Sequence, residues 1–238
     1  MVKFKHNEPH FELQLGEIKD GVLRVLSFEG EDAISRPFEY RIELLSDDPE
    51  IDPAKILNKP ATFVWNRGDE DPVKIHGIVS EFEQRGKTAR YVSYSAVLVP
   101  RLWRLSLTYR NEIYQKMNIE KVIKQVLKDS GFSGDDAKFD LKESYADREY
   151  IVQYRETNLN FLNRRLEFYG IFYFFDHSGD KDVVVFSDHN DAIKAIASKD
   201  DIFYNPNLDP LSQKETIQDF VFQSRVVTGT VKLKDYNY

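Results

Sequence analysis

The residues of this chain best suited to chemistry are two acid–histidine pairs, Asp176-His177 and Asp188-His189, with Asp180 and Asp182 on the stretch between them. Imidazole nitrogens and carboxylates are the donors that hold first-row divalent metals, so convergence of the pairs would build a metal centre. The competing reading is polar residues at the ends of two hairpin strands, where turn and cap chemistry favours Asp, Ser and Gly. No helical HExxH or other fixed ligand spacing accompanies them. The expectation is therefore no metal, with Asp176, His177, Asp188 and His189 as the weak candidates. The chain has five histidines and no cysteine, which removes thiolate zinc sites, disulfides and cysteine nucleophiles together.

Other catalytic patterns are absent: there is no GxSxG elbow, no phosphate-cradling P-loop and no GxGxxG after a strand. Forty acidic residues always offer carboxylate pairs, so pairing alone gives no weight to a glycosidase reading. The run Ile171-Phe172-Tyr173-Phe174-Phe175 has the rings for a sugar-stacking face, but a core strand explains it with fewer assumptions. Trp65 and Trp103 are isolated and are expected to pack in a barrel or at an interface. No catalytic residue and no cofactor is expected.

Whatever these residues do, β-rich elements must position them. The 17 Phe and 13 Tyr suit pleated, half-buried surfaces, and 41% hydrophobic residues can fill a core. Phe11, Leu13 and Leu15 alternate with Glu12 and Gln14; Phe38, Tyr40, Ile42 and Leu44 alternate with Glu39, Arg41 and Glu43. That period of two marks strands with one buried face. Further strands are expected over 22–28, 61–65, 73–82 and 90–99, the last two joined by a hairpin loop at Gln84-Arg85-Gly86-Lys87. Asp52-Pro53 opens a short helical turn, Asp as cap and Pro at the first helical position.

The middle changes period. Asn118 caps a helix with apolar Ile119, Val122, Ile123, Val126 and Leu127, and Gly131 stands where a C-terminal cap belongs. A second helix over 158–169 carries Leu159, Leu162, Leu166 and Tyr169 on one face and stops at Gly170. Ile171 to Phe175 and Val183 to Phe186 follow as a hairpin turned by His177-Ser178-Gly179-Asp180. Residues 201–238 read as strands again, from Phe220, Phe222, Val226, Val227, Val231 and Leu233, and the unfinished β region suggests a truncated product.

Net charge is −7, which argues against nucleic acid as a partner. Acidic groups gather at Asp47, Asp48, Glu50 and Asp52 and at Asp69, Glu70 and Asp71. Arg101, Arg104, Arg110, Lys116, Lys121, Lys124 and Lys128 make a basic middle. Solvated faces are the plain reading; complementary charge between subunits is the functional one, with Arg101, Arg104 and Arg110 as interface candidates. Met1 to His10 is polar, without the apolar segment of a Sec-type signal, and no apolar run approaches the ~20 residues that cross a bilayer. Export would then need a dedicated machine.

One stretch carries a resemblance. Arg148-Glu149-Tyr150, Gln153-Tyr154-Arg155-Glu156-Thr157, Phe161-Leu162, Glu167 and Gly170-Ile171, closing on Tyr173-Phe174-Phe175, resemble the hub-domain signature of the VgrG family of type VI secretion spike proteins. Gly77-Ile78-Val79, Leu98-Val99-Pro100-Arg101-Leu102-Trp103 and Val231-Lys232-Leu233-Lys234-Asp235-Tyr236-Asn237-Tyr238 agree with further family segments in the same order. The family is similar to phage late control protein D and to contractile-tail hub proteins. The resemblance implies an α+β, mainly β fold: an antiparallel β-barrel-like tube domain with inserted α/β elements and the start of a second related barrel. It divides the chain into 1–105 (first barrel), 106–200 (inserted α/β part with two helices and a hairpin) and 201–238 (first strands of the second, truncated barrel).

The implied function is structural. As part of a spike it would form a homotrimer in the full-length protein and sit on an Hcp-like tube hexamer. It would contact baseplate proteins and carry secreted effectors or a spike-tip protein. It would contain no integral membrane segment, assemble in the bacterial cytoplasm and leave through the type VI apparatus without a signal peptide. A phage or prophage tail hub is the nearest alternative. A cell-wall-degrading tail hydrolase and an all-β carbohydrate-binding module are the alternatives from other classes.

Overall fold

Alternation in the first hundred residues becomes one curled antiparallel sheet. The computed structural model describes residues 10–67, 70–193, 203–206, 216–217, 219–226, 228–234 and 236. Asp69, Val227, Asp235, Asn237, Tyr238 and the stretch Met1–Pro9 from the sequence reading lie outside them. Strands β1 (Phe11–Leu15), β2 (Arg24–Glu31), β3 (Glu39–Ser46), β4 (Pro60–Arg67), β5 (Glu70–Lys87) and β6 (Val92–Val99) pair in the order β1-β4-β5-β6-β3-β2. Of the inward residues predicted from the period of two, Leu13, Leu15, Phe38, Ile42 and Leu44 are buried and Phe11 and Tyr40 half-buried.

β5 turns the corner. Its 18 residues pair with β4 over the first half and β6 over the second, with register breaks at Val79/Glu81 and Gln84/Gly86. Bulges of this kind bend a strand and increase its twist, which curls the sheet into a half barrel. The edge strands β1 and β2 share no ladder; aromatic rings meet there instead. Phe11 and Phe28 stand edge to face at 5.0 Å, and Phe28 lies 4.8 Å from Phe63. Trp65 contributes to the same group, 5.8 Å from Phe11.

The expected loop at Gln84–Lys87 is displaced. β5 runs on through Lys87, Gly86 falls at a bulge, and the chain reverses at Thr88–Tyr91. There the Thr88 N–H donates to the Tyr91 carbonyl at 2.8 Å, and the Tyr91 N–H donates to the Thr88 hydroxyl at 3.0 Å. The glycine supplies a strand irregularity, and a hydroxyl makes the turn.

Beyond β6 a second core begins. A 3-10 helix over Arg101–Leu107 buries Leu102 and Leu105, and β7 (Tyr109–Met117) leads into α1 (Ile119–Asp129). The Asn118 side chain accepts from the Lys121 N–H, and the five predicted apolar positions of α1 are buried. At ~1.5–3 kcal/mol for each buried aliphatic side chain, packing holds this helix. The exposed Lys124–Glu120 pair adds only ~0.3–0.5. β8 (Ala137–Asp140), β9 (Arg148–Thr157), α2 (Asn158–Tyr169), β10 (Phe172–Asp176) and β11 (Val183–Ser187) complete the unit. β7 and β9 form a two-stranded ribbon; β10, β11 and β8 form a sheet with β11 in the middle and β8 parallel to it. Leu159, Phe161, Leu162 and Leu166 of α2 pack with Ile171, Tyr173, Val184 and Phe186.

Residues 1–193 make one unit and 194–238 another. In the second, β12 (Phe203–Tyr204) and β13 (Thr216–Ile217) pair in parallel, and Phe220, Phe222, Val226, Val231 and Leu233 are exposed and without regular structure. No helix among the described residues is long and apolar enough to cross a membrane.

Candidate assembly surface

The two acid–histidine pairs do not meet. Asp176 ends β10 beside the hairpin turn, whereas Asp188 follows β11 at the opposite end of the hairpin. Five residue steps of strand, from Val183 opposite Asp176 to Asp188, at ~3.3 Å each hold them ~16 Å apart. Each pair has its own local work. Asp176 accepts from the Ser178 N–H at 2.9 Å and pairs with Lys138 at 3.0 Å. Hydrogen bonds from Ser178, working against burial, hold its carboxyl down at about 2. Asp188 accepts from the N–H groups of Lys142 and Glu143 and the Tyr145 hydroxyl, each at 2.9 Å, and its pKa is lowered by these bonds against burial. His189 approaches Asp140 at 3.3 Å. Among the described residues no group of three or more His, Asp or Glu side chains is arranged to hold a metal.

His177 is turned into the seam between the two cores. Its Nδ1 accepts from the His76 backbone N–H at 3.1 Å, and its ring packs edge to face on Phe38 at 5.4 Å. Burial, then the neighbouring His76, pushes its pKa down to about 4, with Asp176 opposing. Phe38 and Phe175 meet at 5.2 Å in the same seam, and the Ser35 N–H donates to the Tyr173 carbonyl at 2.8 Å.

Of the three arginines expected at a subunit contact, Arg101 is committed inside the fold. Its Nε donates to Asp182 at 2.6 Å, its Nη1 to Asp136 at 2.9 Å and its Nη2 to the Asp182 carbonyl at 2.7 Å. Its backbone N–H adds a bond to the second Asp182 oxygen at 2.7 Å. Lys181 joins at Asp136, 2.8 Å away. Burial pushes Asp182 up against the pull of Arg101. Asp136 is buried too, but bonds from Lys181, Ser133 and Arg101 outweigh that and hold it well below the usual carboxylate range. The acids that satisfy Arg101 are distant in sequence, which is why a run of basic residues looked free. Arg104 and Arg110 are half-buried, Arg104 donating to the Arg101 carbonyl at 3.5 Å and Arg110 within 3.8 Å of Asp129.

The exposed apolar surface lies elsewhere, on the β7–β9 ribbon. Ile113 stands opposite Val152, flanked by Tyr109, Tyr150 and Tyr154, all exposed; Tyr114, Ile151 and Gln153 fill the other face and are buried. A bulge sets this orientation. Arg155 takes a left-handed φ of 49°, and its N–H donates to the Asn111 side chain at 2.8 Å where the register breaks. A non-glycine residue held there is strained, and the Asn111 cap helps hold it. Contiguous exposed apolar side chains on a protein surface mark contact sites. Sequence reasoning passed over this face because neither ribbon strand was assigned. The available signal was the unbroken apolar run Tyr150-Ile151-Val152, which leaves β9 no fully polar side.

The signature residues around the ribbon are structural. Gln153 and Asn158 are buried and bonded to each other at 3.0 Å, Glu156 pairs with Arg164, Thr157 caps α2 and Arg148 reaches the Tyr169 hydroxyl. Their chemistry is capping and pairing.

Comparison with known proteins agrees with this picture. The family model for the phage tail baseplate hub (GPD) matches residues 31–238. The chain is 33% identical over 217 residues to the type VI secretion system spike protein VgrG1b of Pseudomonas aeruginosa, covering 91% of this chain and 29% of that protein. It is 27% identical to the actin cross-linking toxin VgrG1 of Vibrio cholerae, covering 96% of this chain and 21% of the toxin. Among solved structures it resembles the E. coli c3393 protein, described as a type VI secretion component similar to T4 tail proteins gp27 and gp5. The TM-score is 0.72 with 28% identity, over 77% of this chain and 51% of that one. The chain thus spans less than a third of the length of the curated relatives it matches.

Proposed function

The chain belongs to the phage tail baseplate hub family, on its VgrG side, and from that premise we propose that it is the non-catalytic hub part of a type VI secretion spike. In this reading it assembles as a trimer, seats on an Hcp-like hexameric tube, and serves effector delivery when the apparatus fires. The half barrel (1–105), the inserted part (106–200) and the start of a second barrel (201–238) are its working divisions. The two separate cores part after Val99, with Leu102 and Leu105 already in the second, which supports a division a few residues before the first boundary. Stiffness is what a hub supplies, and two packed cores joined through the Phe38–Phe175 and His76–His177 seam provide it.

The observation that carries the reading is the exposed apolar face of the β7–β9 ribbon, lying in the segment that holds the family signature. Ring closure by three chains would bury such a face. The test is solution mass by light scattering across a concentration range, for the wild type and for Ile113→Glu with Val152→Lys. The expected result is a mass three times the 27.9 kDa chain, falling to one chain in the variant with its fold intact by circular dichroism. A wild-type mass of one chain throughout, or a variant that assembles normally, would remove the ribbon as the assembly face.

A further inference from the structure

The sheet β10-β11-β8 ends on one side in a strand with a free ladder edge among the described residues. β8 is four residues long and pairs with β11 alone; its outer edge has no ladder partner among the described residues. Helix α1 lies alongside, with the Lys124 ammonium 4.7 Å from the centre of the Phe139 ring. Between helix and strand runs an open groove of about 670 Å³, lined by Leu127, Phe132, Ala137 and Phe139 below and by Lys124 and Lys128 at the rim. The Lys128 ammonium has no ion-pair or hydrogen-bond partner among the described residues. Lys124 also pairs with Glu120 of its own helix, an exposed contact that an incoming carboxylate can replace while the ammonium stays over the Phe139 ring.

Each part of this groove constrains what fits. An unpaired strand edge is completed by an extended backbone, because its N–H and C=O groups ask for ladder bonds. The Phe139 and Ala137 side chains on the groove side suit apolar residues at every second position of the guest. Two ammonium groups along one rim select carboxylates, on a chain whose overall charge of −7 disfavours acidic partners elsewhere.

We propose that the β8 edge is a peptide-docking site that takes an extended segment of a partner protein as a fourth strand. Acidic side chains of the guest meet Lys124 and Lys128, and alternate apolar ones enter the groove. The site is independent of the ribbon face and of the hub reading.

The experiment selects a displayed library of random eight-residue peptides on the 238-residue chain, with counter-selection on the Lys124→Glu, Lys128→Glu double variant. Both lysines are solvent-exposed, so the variant should keep the wild-type circular dichroism, with melting lowered only modestly by repulsion from Glu120 and by the lost cation in the last turn of α1. Enriched peptides should alternate acidic and apolar residues and bind at least tenfold more weakly to the variant. They should also weaken with added salt and protect amides over residues 124–140 from hydrogen exchange. No enrichment against the counter-selection overturns the proposal. So does enrichment of peptides whose protection maps elsewhere, since the edge would then be guarded only by its shortness and charge.

Discussion

Arg101 shows how far a single side chain departs from its local sequence. It begins a basic run, yet its guanidinium ties two acids, 35 and 81 residues away, to the start of the second core. Removing it leaves Asp182 buried and unpaired. Arg101→Met should therefore lose about 3–5 kcal/mol in urea unfolding at pH 7.5, whereas Arg104→Met should change stability by under about 1. His177 makes a second prediction. Its pKa falls from 6.5 to about 4 on folding, so the native state binds fewer protons than the unfolded chain. The contribution is complete above pH 6.5 and is lost as pH drops toward 4. Between pH 7.5 and 5 the loss is about 2 kcal/mol. Paired urea titrations of the wild type and His177→Gln should show the wild type losing that much more; parallel curves would mean the imidazole does not titrate in the seam.

At the scale of elements, close approach and capping decide the outcome. Gly77 in β5 lies against β6, where an added Cβ would come within 2.3 Å of the Val99 carbonyl oxygen. Backbone cannot give way as a side-chain end can. Gly77→Ala should cost at least about 1–3 kcal/mol by thermal or urea unfolding, and a neutral result would mean that β5 and β6 can separate freely. At the start of α2 the Thr157 hydroxyl accepts from the Asn160 N–H at 3.1 Å. Thr157→Ala should cost about 1 kcal/mol, and Thr157→Ser, which keeps the acceptor, much less. The helix stops where Gly170 turns left-handed at φ 69°, as the sequence pattern required.

At the scale of the whole molecule the choice lies between charge and apolar contact as the basis of assembly. The arginine reading and the ribbon reading differ in salt dependence. Exposed ion pairs are screened within ~8–10 Å at physiological ionic strength, whereas apolar burial is not weakened by added salt. The solution mass should therefore be the same, or higher, in 500 mM sodium chloride as in 50 mM. Dissociation in high salt would return the interface to the arginines. The net charge of −7 and the pI near 5.4 also place the solubility minimum inside the pH window, from 6.5 down to about 4, over which the His177 contribution to stability is lost. Assembly is best measured above pH 7.

The sequence by itself determined the elements whose causes are local. The period of two in 38–44, the cap at Asn118, the apolar stripe of α1 and the bounds of α2 all follow from neighbours within a few residues, and so does the hairpin after Gly170. The family was legible for the same reason, since its signature is a run of caps, pairs and core positions around one helix. Only the tertiary structure decided where side chains go once distant segments meet. It moved the β5–β6 reversal to Thr88–Tyr91, turned Arg101 inward onto Asp136 and Asp182, separated the two acid–histidine pairs and left the Tyr109, Ile113, Tyr150, Val152 and Tyr154 face uncovered. Burial and pairing are properties of the assembled fold: a charge or an apolar side chain becomes free or satisfied only when its far neighbours arrive.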